Sequence, residues 1–382
     1  MGFFLARFSL LRQFGHGKFM KNLLENARGI ALTVVIFIVA VLLTLTGTSL
    51  LFSGLDLKVT SALKSGTMAL QIADSGIQHA LAVIPAGTTY PYNSAMEVVP
   101  LTAHPSIAGF SYAVTAANTA GNTQAILTST AIGPNGTKNV VVAYIGRGGF
   151  GLGATSLPGS PADKTETNFS GTSFSINGND NCNALAPVPG IVVTDPLLVT
   201  EITNSTTSDG GLASNQMGNV TGTGTFPSVG VIAPLAQSVS QMADAYLGLS
   251  HTNLAGGQNF SGNESWGTAG SPRITYINGS AQISGTIEGY GVLVVDGPLD
   301  IAGNFTFHGL VIARGDIQVQ VTGNAGIYGS LLIGESDELD GGYELDVRGN
   351  ATVRFDSCAL SPADSWVSLP KKAKLLAWQQ VM

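Results

Sequence analysis

The chain has 382 residues; 44% are hydrophobic and only 11% charged, and its mean hydropathy of +0.29 excludes a highly charged disordered polymer. Glycine occupies 49 positions with no three-residue period, which excludes collagen; with so little Lys or Glu, this composition favours strands and turns over helices. The net charge of −7 argues against nucleic acid as the main partner, and two cysteines exclude a disulfide framework or a multi-cysteine zinc site. The length predicts two or three folded units.

From Gly29 through Leu55 no residue is charged, and most are Leu, Val, Ile, Phe and Ala. These 27 positions exceed the roughly 20 that a helix needs to cross a hydrocarbon core. Arg7, Arg12, Lys18, Lys21 and Arg28 precede the run, with Glu25 the single acid. The positive-inside bias therefore puts the N-terminus in the cytoplasm and the chain after Asp56 outside. The apolar run is too long for an ordinary signal peptide and lacks an Ala-x-Ala exit, which leaves a plain signal anchor as the simple alternative.

Arg28-Gly29 followed by Ile30-Ala31-Leu32-Thr33-Val34-Val35-Ile36-Phe37 resembles a prepilin signal, which is cut on the cytoplasmic side of the helix. The resemblance implies cleavage between Gly29 and Ile30 by prepilin peptidase and N-methylation of Ile30. Starting at Met20 gives the short leader such signals prefer; Met1 gives an unusually long one. The helical pattern continues through Leu55, Val59, Leu63, Leu70, Ile77, Leu81 and Ile84, and Pro85 stops it. Within it, Ala73-Asp74-Ser75-Gly76-Ile77-Gln78-His79-Ala80-Leu81 is similar to the helix segment with which PilX-type minor pilins join stem to head. His79 reads as a helix-surface residue rather than a ligand.

Residues 110–116, 124–132 and 138–145 are predicted as antiparallel strands separated by Asn- and Gly-containing turns. From Arg147 to Pro272 the composition turns to Gly, Ser, Thr, Asn and Pro. Within it, Leu235, Val239, Met242, Tyr246 and Leu249 mark one amphipathic helix. Then a repeat emerges. Ile301-Ala-Gly303-Asn304, Val321-Thr-Gly323-Asn324 and Val347-Arg-Gly349-Asn350 share a template, with Ile283-Ser-Gly285-Thr286 a partial copy. Gly291–Gly297, Gly309–Gly315 and Gly329–Gly334 keep phase with it. Short apolar strands ended by Gly about every 20 residues predict a parallel β-solenoid, with aligned Asn residues able to form a ladder. Three glycines, Gly303, Gly323 and Gly349, are expected at equivalent corners.

The predicted fold is therefore α+β. A leader (1–29) and a transmembrane and stem helix (30–84) precede a small antiparallel head (85–150). A Gly/Ser/Thr/Asn-rich region (151–272), read as loop-rich first coils, leads to a right-handed parallel β-helix with a C-terminal cap (273–382). Cys182 and Cys358 are placed at the two ends of the solenoid, where bonded and free forms stand level. Asp337, Glu338 and Asp340 form the best calcium candidate but lack the ordered spacing of a calcium loop. A polysaccharide lyase would need clustered carboxylates and a base, for which Asp296, Asp300, Asp316 and Arg314 are the candidates; solvated corner charges explain them more simply. No paired histidines, nucleophile elbow or P-loop occurs.

Residues 21–150 resemble PilX-type minor pilins or pseudopilins, and 274–382 resemble the solenoid that some large members carry. The resemblance implies no catalysis and no cofactor. It implies inner-membrane residence followed by an extracellular filament, with prepilin peptidase and other pilins as partners and a surface or glycan ligand for the solenoid left open. A membrane-anchored carbohydrate-active enzyme or surface adhesin is the alternative. Counted from Ile30, the fifth residue is Val34, where major pilins carry Glu; the change predicts a low-copy subunit at or near a filament tip.

Overall fold

In a computed structural model the described residues are 27–119, 122, 124–158, 167–205, 210–232, 235–314, 319–322, 324–334 and 344–381. The chain divides into two compact units at Thr67/Met68, described separately below. Helix Ala27–Val83 crosses this division, and the first unit is described through it.

In the second unit, residues 68–84 supply Ala69, Ile72, Ala73, Ile77, Ala80 and Ile84 to a core shared with a five-stranded antiparallel sheet. Its order is Met96–Ala103, Ser111–Asn118, Gln124–Ile132, Lys138–Phe150 and Lys371–Val381. Strict alternation along Gln124–Ile132 buries Ala125, Leu127, Ser129 and Ala131 towards the helix. Two elements depart from the sequence reading. Met96–Ala103 was not expected, since its Pro100 and bulges hide the two-residue period. The C-terminal segment does not cap a strand stack. It pairs antiparallel with Lys138–Phe150, from Lys371 opposite Phe150 to Val381 opposite Val140. The physical reason is an open edge: Lys138–Phe150 would otherwise present unpaired amides, and Ala373 and Leu375 gain contact with the helix–sheet core.

Everything between these two neighbouring strands, from Gly151 to Pro370, is therefore an insertion in the head sheet. It forms parallel ladders. Each rung gives a three-residue strand to one sheet and a ten-residue strand to another, as in Leu299–Ile301 then Asn304–Ala313, and Val319–Val321 then Asn324–Ile333. Neighbouring rungs match residue for residue, with Asn304 opposite Asn324 and Ala313 opposite Ile333. The long strands bend at Gly291, Gly309 and Gly329, whose φ values of +115°, +139° and +144° lie where side chains rarely go. Before the bend, residues alternate inside and out; after it, Leu310–Ala313 are buried on both faces. The helices Val239–Leu247 and Ser361–Trp366 pack against the same core, which explains why these runs are uniformly apolar. Inside, Trp266 meets Phe260 and Phe305 edge to face, and Phe305 stacks on Phe307.

Rung order departs from chain order. The ladder runs Thr252–Ala255, Arg273–Asn278, then the long strands ending at Val295, Ala313 and Ile333. It continues not with later sequence but with Thr155–Leu157, Ile191–Val193 and Val229–Val231. The other ladders agree: Leu345–Arg348 pairs with Thr167–Ser170, and Thr352–Phe355 with Ser175–Asn177. The region 151–272 thus contributes rungs at both ends of the stack, and the chain starts in its middle. After Val231 it crosses back through the helix Val239–Leu247, capped by Ser238 and Gln241, and begins again at Thr252.

Candidate functional site

Unlike residues 68–84, the first unit's helix is exposed from Leu32 through Leu55, a run without charge. Leu32, Phe37, Leu43, Leu50, Phe52 and Leu63 are each more than 60% exposed, and no residue of the most apolar window is buried. By length and composition the helix is sufficient to cross a membrane. Three of its hydroxyls are satisfied within the helix: Thr44, Thr46 and Thr48 donate to the carbonyls of Val41, Leu42 and Thr44 at 2.8–3.0 Å. That arrangement lets the surface enter a medium without water. Gly29 and Ile30 lie in this helix, though their side chains fall outside the described residues. Val34 is about half exposed, so position 34 offers a neighbour an isopropyl group and no carboxylate. Residues 1–26 of the leader, with Met1 and Met20, lie outside the described residues.

Where the second unit's helical segment meets the sheet, Gly76 sets the distance. A Cβ there would stand 2.4 Å from Ser129 Oγ and 3.0 Å from Tyr112 Cδ2. His79 is half-buried rather than on the surface, with Nδ1 2.9 Å from Tyr112 Oη. The motif around Gly76 therefore works as a contact face for the sheet.

Of the lyase candidates, Asp296 and Arg314 come together, but with a helix rather than an open cleft. Arg314 bridges Asp296 and, across 70 residues of chain, Asp244 on Val239–Leu247. The Tyr276 hydroxyl donates to Asp296 at 2.5 Å. Burial alone would raise the Asp296 carboxyl; the bonds from Arg314 and Tyr276 hold it below its usual range. Asp300 lies elsewhere, accepting from Gln282 at 3.3 Å, and Asp316 is outside the described residues. Asp337, Glu338 and Asp340, the calcium candidate, are likewise outside, as is Gly323.

Cys182 and Cys358 form a disulfide with Cα atoms 6.1 Å apart. They do not sit at the ends of the stack as expected. They sit at the seam in its middle, because the rungs are permuted. Beside them lies Asp180, a residue the sequence reading passed over. Its carboxylate accepts from Ser357 N and Oγ at 2.8 and 2.7 Å and from Ala184 N and Leu185 N at 2.9 and 2.8 Å. Burial tends to raise this carboxyl, but the bonds from Ser357, Leu185 and Ala184 hold it below the usual value. Asn181 Nδ2 donates to Asp356 at 2.8 Å across the same seam.

On the outward face before the bends, two columns run along the rungs. Asn350 Nδ2 donates to Asn324 Oδ1 at 3.3 Å and Asn324 Nδ2 to Asn304 Oδ1 at 3.4 Å, a ladder of the repeat asparagines. Tyr290, His308 and Tyr328 stack with ring centroids 4.6 and 5.0 Å apart. Burial holds His308 below its usual value, opposed by Asp356 and Glu288. These columns tie rung to rung; their ring faces are turned to one another.

No protein-family profile matches the chain, and no curated protein matches it. Among solved structures, the chain is similar to the competence-associated pilin ComZ from Thermus thermophilus. Identity is 11% and the TM-score 0.23, over 83% of this chain and 98% of that one.

Proposed function

We propose that the chain is a PilX-type minor pilin, a low-copy structural subunit of a type IV pilus or related filament rather than a catalyst. The observation that carries this reading is the helix of the first unit. A run free of charge from Gly29 through Leu55, left uncovered by the other described residues, calls for lipid before assembly and for other apolar helices after it. The helix-backed antiparallel sheet, joined through the Gly76 face, supports this reading. On this reading prepilin peptidase cuts between Gly29 and Ile30, Ile30 is methylated, and the protein waits in the bacterial inner membrane with its C-terminus periplasmic. The ladders then form one right-handed β-solenoid carried outward. Val34 removes the acid that would set stagger against an earlier subunit, which a subunit at the tip does not need.

Mass spectrometry of filament-associated protein should find Ile30 at the N-terminus; peptides running from Arg28 to Thr33 would rule the processing out. Gold labelling of a tag at Ser336 should mark filament ends, and uniform labelling along the shaft would refute the tip position. The alternative of a carbohydrate-active enzyme has less support, because Asp296 and Arg314 are engaged in holding a helix.

A further inference from the structure

Beside the two strands that carry the chain into and out of the insertion lies a cavity of about 410 Å³. That is within the size range of small-molecule sites. Pro85, Ala86 and Pro370 give it apolar walls, and Thr88, Gln237 and Ser368 bring polar side chains. Arg147 is the one charged residue among the described lining residues; no acid faces it. Its guanidinium lies over the Tyr90 ring, 3.8 Å from the centroid. It donates to three main-chain carbonyls, Pro85 at 2.8 Å, Thr89 at 2.7 Å and Lys371 at 3.3 Å, and its buried Nε has no acceptor.

Main-chain carbonyls satisfy N–H groups without cancelling a charge. A half-buried cation is most stable beside a carboxylate, and Arg314 in this unit meets two. Burial pulls Arg147 below its usual value, as it should where no acid compensates. The cavity therefore combines a fixed, uncompensated cation, polar groups at its exposed mouth and apolar walls. We infer that this cavity binds a carboxylated saccharide unit, with Arg147 taking the carboxylate and Thr88, Gln237 and Ser368 facing the hydroxyls. A concave site of this volume suits one sugar ring rather than a protein surface. The inference does not depend on the filament reading.

The test uses the full chain in detergent and titrates D-glucuronate, D-glucose and acetate, followed by saturation-transfer NMR. Glucuronate should saturate near ~1 mM, the strength a ligand of this size reaches, with glucose and acetate each at least about tenfold weaker. A glucuronate-terminated disaccharide that binds more tightly than the monosaccharide identifies the source as the end of a glycan; weaker binding identifies a free sugar acid. Ser368→Asp places an acid at the exposed mouth without disturbing the bonds of Arg147. It should abolish glucuronate binding, while Ser368→Ala keeps saturable binding within about threefold. Absence of saturable glucuronate binding, equal binding of glucose or acetate, or full binding by Ser368→Asp would each overturn the assignment.

Discussion

Gly309 is a position at which a single methyl group should do severe damage. It pairs in register with Gly291 on one side and Gly329 on the other. An added Cβ would stand 1.9 Å from the Gly291 carbonyl oxygen, inside the 3.0 Å that real Cβ atoms essentially never breach. The atom in the way is main chain, so no side chain can swing aside; the rungs must part by about 1 Å or the bend must flatten against rungs spaced about 4.8 Å apart. The φ of +139° adds strain of about 1–3 kcal/mol for any L side chain. Overpacking adds about 1–3 kcal/mol. Gly309→Ala should therefore cost about 4 kcal/mol. With a urea dependence of about 3 kcal/mol/M, the unfolding midpoint should fall by about 1 M. Fluorescence of Trp266, buried among Phe260 and Phe305, reports the transition. Gly270→Ala, where nothing lies within 4 Å, is the matched control and should leave the midpoint unchanged. If both variants unfold at the wild-type midpoint, the bend does not depend on these glycines and the register argument fails.

Asp180→Asn should destabilise the seam by about 2–3 kcal/mol at pH 7, since an amide cannot accept all four bonds. Because the folded carboxyl is held below its unfolded value of about 3.9, this stabilisation is present above that pH and is lost as pH falls through the folded value. The gap between wild type and variant should narrow below about pH 4; a gap constant from pH 7 to pH 3 would contradict the hydrogen-bond account. Gly76→Val should lower the melting temperature through a cost of about 2 kcal/mol, by forcing helix and sheet apart at Ser129. Gly66→Val, at a helical position with nothing within 4 Å, should not, and equal effects would mean that helix propensity rather than contact is responsible.

What the sequence made legible was what repeats or alternates locally. The spacing of Asn304, Asn324 and Asn350 located the rungs and their ladder, and Pro85 marked the end of a helix that closes at Val83. The Leu235–Leu249 periodicity identified the crossing helix at Val239–Leu247. The permuted order was hidden, because Leu345–Arg348 meets Thr167–Ser170 across about 178 residues and two-residue strands such as Val220–Thr221 carry no period. The same holds for Lys371–Val381, whose partner is 241 residues away at Gln380–Asn139. Arg147 was invisible for another reason: one basic residue after a strand says nothing about the acid that is missing around it.

The insertion between Phe150 and Lys371 has a consequence for how such a chain can change over time. These two residues already face each other across adjacent antiparallel strands. Removing 151–370 and closing the gap with a two-residue turn would leave an ordinary β-hairpin at the edge of the head. The passenger enters and leaves through one doorway, so rungs can be added, lost or exchanged for another module without renegotiating any strand pairing in the host. Diversity among such chains is then expected to concentrate in this passenger, with the host sheet and its helix kept as a common chassis.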